Sequence, residues 1–183
     1  MTTSRILLLP GWQNSGADHW QTRWEQRHGF ERVLQDDWWW PRRGDWMIRL
    51  EETLLAGDGP AVLVAHSLGC HLVAAWAAHS RHVARVRAAL LVAPPDLERS
   101  DAPPQVLGWA PMQRRALPFC STAVLSSDDP YCAADRSLAL AVDWGSEIVT
   151  LGAAGHVNAA SGLGGWSEGL DLLRDLKQRA GVD

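Results

Sequence analysis

Six short stretches of the chain are apolar: RILLLP (5–10), ERVLQ (31–35), AVLVAH (61–66), AALLVAP (88–94), TAVLSS (122–127) and EIVTLG (147–152). Several are apolar at every position rather than at alternate ones. A strand with one wet face alternates, whereas a strand covered on both faces does not have to. The runs therefore predict strands of a sheet sandwiched between helices. Helix-like segments lie between them: 18–28, 45–56, 68–82, 134–144 and 165–180. In the last, Leu170, Leu173 and Leu176 recur at helical spacing, and Lys177 and Arg179 sit where the helix dipole favours cations. Strand alternating with helix implies right-handed crossovers, so the expected fold is α/β, with about six mostly parallel strands flanked by helices on both faces. A chain of 183 residues fits one domain, 1–183, without repeat or linker. The Pro-rich stretch 95–120 reads as a loop with a helical turn.

Charge and composition narrow the function. The net charge is −4, and sixteen Arg and one Lys are scattered among acids, so no basic stripe is expected to hold nucleic acid. No window of about 18 apolar residues is present to span a membrane. The opening MTTSRILLLPGW has too short an apolar run for a signal peptide. Three cysteines, Cys70, Cys120 and Cys132, lack metal-ligand spacing; a reducing, cytoplasmic setting is the expectation, with no metal or organic cofactor. The oligomeric state is not legible.

In parallel α/β sheets ligands bind at the carboxyl ends of the strands. After AVLVA the chain reads His66-Ser67-Leu68-Gly69 and then a helix, which has the form of a nucleophile elbow, Gly-x-Ser-x-Gly, with Ala65 at the first small position. The elbow helix crosses close to its strand, so the positions two before and two after Ser67 can carry little side chain. A serine hydroxyl needs a base to take its proton and an acid to orient that base, in the chain order Ser, Asp or Glu, His. The fifth run ends in Asp128-Asp129-Pro130-Tyr131. The sixth leads into Gly155-His156-Val157-Asn158, and His156 is the one histidine after His82. Pro130 restrains Asp129 towards extended backbone, which makes Asp129 the better-held acid and Asp128 a turn former, with Asp96 as a third carboxylate. For the oxyanion, the expected donors are the N–H groups of Leu68 and of Trp12 in the loop Pro10-Gly11-Trp12. His66 and His71 are assigned no catalytic part. His19, at the start of the helix after that loop, is a candidate to line the site.

The pattern PGW.NSG..HW at 10–20, HSLG at 66–69, DDPY at 128–131 and GH.N at 155–158 resembles the small serine hydrolases related to retinoblastoma-binding protein 9, a compact branch of the α/β-hydrolase superfamily. The resemblance spans the chain and departs from many members by Ala65 in place of Gly. It implies a triad of Ser67, Asp129 and His156 on a minimal α/β-hydrolase sheet with no large cap domain. The expected activity is hydrolysis of a small, fairly apolar ester, thioester or amide through an acyl-enzyme, with a small molecule as the only partner. The alternative is a non-catalytic protein that holds a peptide or partner on the same scaffold.

Eleven tryptophans are present, three of them consecutive, in QDDWWWPRRGDW (35–46). Trp38, Trp39 and Trp40 follow the second strand at its carboxyl end. Either part of this cluster joins Trp12 and Trp109 as an apolar wall around Ser67, or all three are core. Both readings stand at this level.

Overall fold

The computed structural model describes residues 4–182. Its centre is a parallel sheet of β1 (Arg5–Leu9), β2 (Glu31–Arg32), β3 (Ala61–His66), β4 (Val86–Val92), β5 (Cys120–Leu125) and β6 (Glu147–Thr150). Their spatial order is β2-β1-β3-β4-β5-β6, and each neighbouring pair runs parallel. Four helices lie between strands, α1 (Trp20–His28), α2 (Arg43–Ala56), α3 (Leu68–His79) and α4 (Ala134–Asp143), and α5 (Ser167–Arg179) follows β6.

The unbroken apolar runs follow from burial on both faces. Along β1, Leu7 and Leu9 join Leu63, Ala65, Ala89 and Leu91 in one core, under Leu50 of α2, Trp76 of α3 and Leu140 of α4. Ile6 and Leu8 join Val62, Val64, Leu90 and Val92 in the other, beneath Trp20 and Trp24 of α1 and Leu173 and Leu176 of α5. A strand of period two can therefore read as all apolar when both faces are dry.

β2 is shorter than its apolar run. Only Glu31 and Arg32 pair with β1, and Val33 N–H adds one bond to the Leu8 carbonyl at 2.9 Å before the chain leaves the sheet. An edge strand with a charged start and a turn-forming Asp36-Asp37 cannot extend the ladder. The stretch after β4 carries a short 3-10 helix, Pro104–Trp109, as the loop-with-a-turn reading anticipates.

The topology fixes the site's location. From β1 the chain moves outward to β2, then returns past β1 to β3 and continues the other way. Strand order reverses between β1 and β3, and this is where a crevice opens at the carboxyl ends.

Candidate active site

Ser67 occupies the step from β3 to α3 with φ 56° and ψ −124°, a backbone that a non-glycine residue adopts only under constraint. The constraint is packing. A Cβ at Gly69 would come 2.3 Å from the Leu9 carbonyl oxygen of β1, so this position admits no side chain. Ala65 is fully buried, and its methyl is accommodated. Gly11 is required for a reason beyond its turn: a Cβ there would lie 2.7 Å from the Cβ of Ser67 and 3.1 Å from its Oγ. The loop after β1 presses directly on the serine.

Three side chains from three strand ends meet here. Ser67 Oγ–H donates to His156 Nε2 at 2.9 Å. His156 Nδ1–H donates to both carboxylate oxygens of Asp129, at 3.0 and 2.9 Å. The imidazole and carboxylate are buried, with 8 % and 4 % of their side-chain surfaces exposed, so the pair works with little competition from water. Asp128 faces elsewhere. Its Oδ1 accepts from the Gly155 N–H at 2.7 Å and from Ser126 Oγ at 2.8 Å. The Gly155 N–H, followed by the Ser126 hydroxyl, holds its carboxyl below the usual carboxylate range. Asp96 is committed to a two-point pairing with Arg136, at 2.9 and 3.1 Å.

Two contacts that sequence reasoning missed hold the histidine loop. His66 Nε2–H donates to the His156 carbonyl at 2.9 Å, and Trp20 Nε1–H donates to the Val157 carbonyl at 2.8 Å. Burial, with His19 and His156 close by, keeps His66 well below the ordinary histidine range, hence neutral. His66 opens the HSLG motif, but nothing in that motif shows a contact to the His156 loop. The contact forms because the carboxyl end of β3 meets the loop after β6 in space, although β4 and β5 lie between the two strands in the sheet.

A cavity of about 480 Å³ opens beside Ser67. Trp12, Leu68, His19 and His156 line it, together with an apolar wall that includes Leu97, Pro103 and Val106, and the polar Arg99 and Tyr131. The Leu68 N–H is at a helix start, where no helical carbonyl reaches it. His19 also caps α1: its Nδ1 accepts from the Gln21 N–H at 3.1 Å, which leaves the proton on Nε2. Burial, then Arg32 and His156, lower its pKa to about 4.

The tryptophan cluster corrects the pocket-wall reading and the all-core reading together. Trp38 packs edge-on to Trp46 at 5.4 Å, and Trp46 to Trp109 at 5.5 Å. Trp109 is 2 % exposed and its Nε1–H donates to the Pro41 carbonyl at 2.7 Å, so it faces core rather than cavity. Trp39 and Trp40 point outward, 63 % and 58 % exposed. The Asp37 carboxylate accepts the N–H groups of both, at 2.8 and 2.9 Å, and curls the chain so that their rings leave the surface. None of Trp38, Trp39, Trp40 and Trp109 lines the cavity with Ser67. What the cluster gives the site is backbone. The Trp38 carbonyl accepts from Gln13 N–H at 3.0 Å, and the Trp39 carbonyl from Trp12 Nε1–H at 2.9 Å.

Among the described residues no group of His, Cys, Asp and Glu is arranged to hold a metal ion, and no helix is long and apolar enough to cross a membrane. Ser-His-Asp rows of this kind can pass a proton from hydroxyl to imidazole while the carboxylate steadies the resulting charge.

The fold is shared with solved α/β hydrolases. A YdeN-like hydrolase from Pectobacterium atrosepticum superposes with a TM-score of 0.86 at 27% identity, over 97% of this chain and 92% of that one. The ydeN gene product of B. subtilis gives 0.74 at 18%, over 96% and 100%. Carboxylesterase CesB of Bacillus subtilis gives 0.63 at 12%, over 99% and 85%. No protein of curated description matches the sequence significantly. The model of the family described as serine hydrolase matches residues 6–175, nearly the whole chain, and the protein belongs to that family as a serine hydrolase enzyme.

Proposed function

We propose that this enzyme hydrolyses a small, fairly apolar carboxylic ester, thioester or amide through an acyl-enzyme on Ser67, in the manner of the group related to retinoblastoma-binding protein 9. The observation that carries the reading is the hydrogen-bonded row from Ser67 Oγ through His156 to Asp129, buried at the head of an apolar cavity. Ser67 Oγ attacks the carbonyl carbon while its proton passes to His156 Nε2, and Asp129 stabilises the imidazolium. The N–H groups of Leu68 and Trp12 receive the oxyanion. His156 then returns the proton to the leaving group as its bond to carbon breaks. Water loses a proton to the same nitrogen, attacks the acyl carbon and frees the acid, restoring Ser67. Three free cysteines fit a reducing cytoplasm as the working compartment.

The test is labelling by a fluorophosphonate probe, with p-nitrophenyl esters of increasing chain length as substrates. Wild type should label and turn over. Ser67→Ala should do neither, with a loss of roughly 10⁶ in kcat, and His156→Ala should follow it closely. Folded wild type that neither labels nor cleaves any ester would instead make the cleft a holder of a peptide or partner.

A further inference from the structure

The cavity beside Ser67 has apolar walls, but its polar inventory is unequal in sign. Two charged side chains line it, Asp96 and Arg99. Asp96 is matched: Arg136 pairs with both of its oxygens, and that pairing holds the carboxyl below its usual range. Arg99 is not matched in the same way. Its carboxylate partner is Asp101, met at 3.2 Å through Nε, and that side chain is 76 % exposed. Such a pair is worth little and yields readily to a better-placed anion. A second donor, on Nη1, goes to the Pro130 carbonyl at 2.8 Å. A guanidinium has five N–H donors in a fixed fork, so these two contacts leave further donors on its terminal nitrogens.

The guanidinium is also held in place. Its carbon lies 5.2 Å from the centre of the Tyr131 ring, and that ring meets the His156 imidazole edge-on at 4.6 Å between centres. One aromatic ring thus separates the cation from the imidazole that hydrogen-bonds Ser67. The tie to Pro130 adds a second restraint from the loop that carries Asp129. A pre-oriented Arg loses less freedom on binding than a free one, and its planar fork fits a carboxylate. In a protein of net charge −4, a cation in the lining of the reaction cavity is a local reversal of the prevailing field.

Resting on the acyl-enzyme reading, we propose that Arg99 is a specificity-determining residue and that the substrates are esters bearing a free carboxylate, bound by Arg99 while the scissile carbonyl sits at Ser67. The apolar wall of Leu97, Pro103 and Val106 then covers the short chain between the two groups.

The experiment compares isosteric pairs. On the acyl side the mono-p-nitrophenyl ester of adipic acid is set against p-nitrophenyl hexanoate. On the alcohol side the acetate ester of 6-hydroxyhexanoic acid is set against hexyl acetate. Wild type should favour the anionic member of at least one pair by about ten- to a hundredfold in kcat/KM, the range expected for one charge-assisted contact. Arg99→Gln should bring that ratio close to one, chiefly through KM, and Arg99→Lys should keep part of it. Added salt should lower the wild-type ratio. The ratio is the diagnostic quantity, because a merely structural arginine would slow both members by the same factor. Turnover by wild type without anionic preference in either pair overturns the proposal, as does a preference that survives Arg99→Gln. Both of those outcomes leave Ser67 labelling intact; absence of labelling and of all turnover would instead strike the acyl-enzyme reading itself.

Discussion

Asp128 and Asp129 are adjacent, both are carboxylates, and both bond to the loop that carries His156, yet they act on different atoms of it. Asp129 accepts the imidazole proton and also the Tyr131 N–H at 2.9 Å, so its carboxylate is fixed from two sides. Asp128 accepts the N–H of Gly155, the residue before His156, and does not touch the imidazole. Neutralising Asp129 removes the charge that stabilises the imidazolium and frees the ring to adopt the other tautomer. Asp129→Asn should therefore cost on the order of 10⁴ in kcat. Asp128→Ala should cost about tenfold or less, as a loosened loop misplaces a ring that is still correctly charged. Steady-state rates on one ester decide between them, and equal losses would refute the division of labour. Pro130 restricts the backbone of Asp129, the aspartate that hydrogen-bonds His156, and that restriction is legible in the sequence. The part of His66 is not legible in that way, because its bond to the His156 carbonyl depends on the end of β3 meeting the loop after β6 across 90 positions of sequence.

At the scale of elements, the elbow is two close approaches, and they predict different failures. At Gly69 the obstacle to a side chain is the Leu9 carbonyl, part of a central strand that cannot move aside. Gly69→Ala should destabilise by about 3 kcal/mol, seen as a fall of roughly 6–12 °C in Tm. At Gly11 the obstacle is Ser67 itself. Gly11→Ala should displace the nucleophile and lower kcat by about a hundredfold, with the smaller change in Tm. Melting curves beside rates separate the two, and the reverse ranking would contradict this account. Both glycines stand out in the sequence because strand, turn and helix follow in a recognisable order. The same local signals placed α2, α3 and α4 to within a few residues, since each is bounded by a glycine or a change of period. They failed for β2, where an apolar run gave way to an edge that only two residues can pair. They failed for the tryptophans as well. Which way Trp38, Trp39 and Trp40 point is decided by the Asp37 carboxylate binding two successive N–H groups, a contact that ring hydrophobicity does not encode.

Over the whole molecule, the sheet's two dry faces leave little room for charge, and histidines are enclosed in a protein otherwise free to gain protons. His71 donates from Nε2 to the Pro95 carbonyl at 2.7 Å, while its Nδ1 is buried without a partner. Burial lowers its pKa to about 4, and the favourable pull of the Pro95 carbonyl does not offset this. His19 is lowered to about 4 as well. In the unfolded chain each returns to an ordinary value near 6.5. Well above that pH neither state holds the proton, and the stability is fully present; at 6.5 the unfolded histidine is already half protonated. As pH falls from 6.5 towards 4 the unfolded chain binds protons that the fold refuses, so unfolding gains about 3 kcal/mol per histidine. Below about pH 4 both states are protonated and this contribution no longer changes. His71→Gln tests the point, since the glutamine amide can keep the bond to Pro95 while removing the titration. Urea unfolding of the variant at pH 7, 6, 5 and 4.5 should show a shallower decline than wild type, by about 2 kcal/mol across the window. An unchanged slope would mean that acid enters the fold elsewhere, and that His71 is not sealed on the buried face of α3.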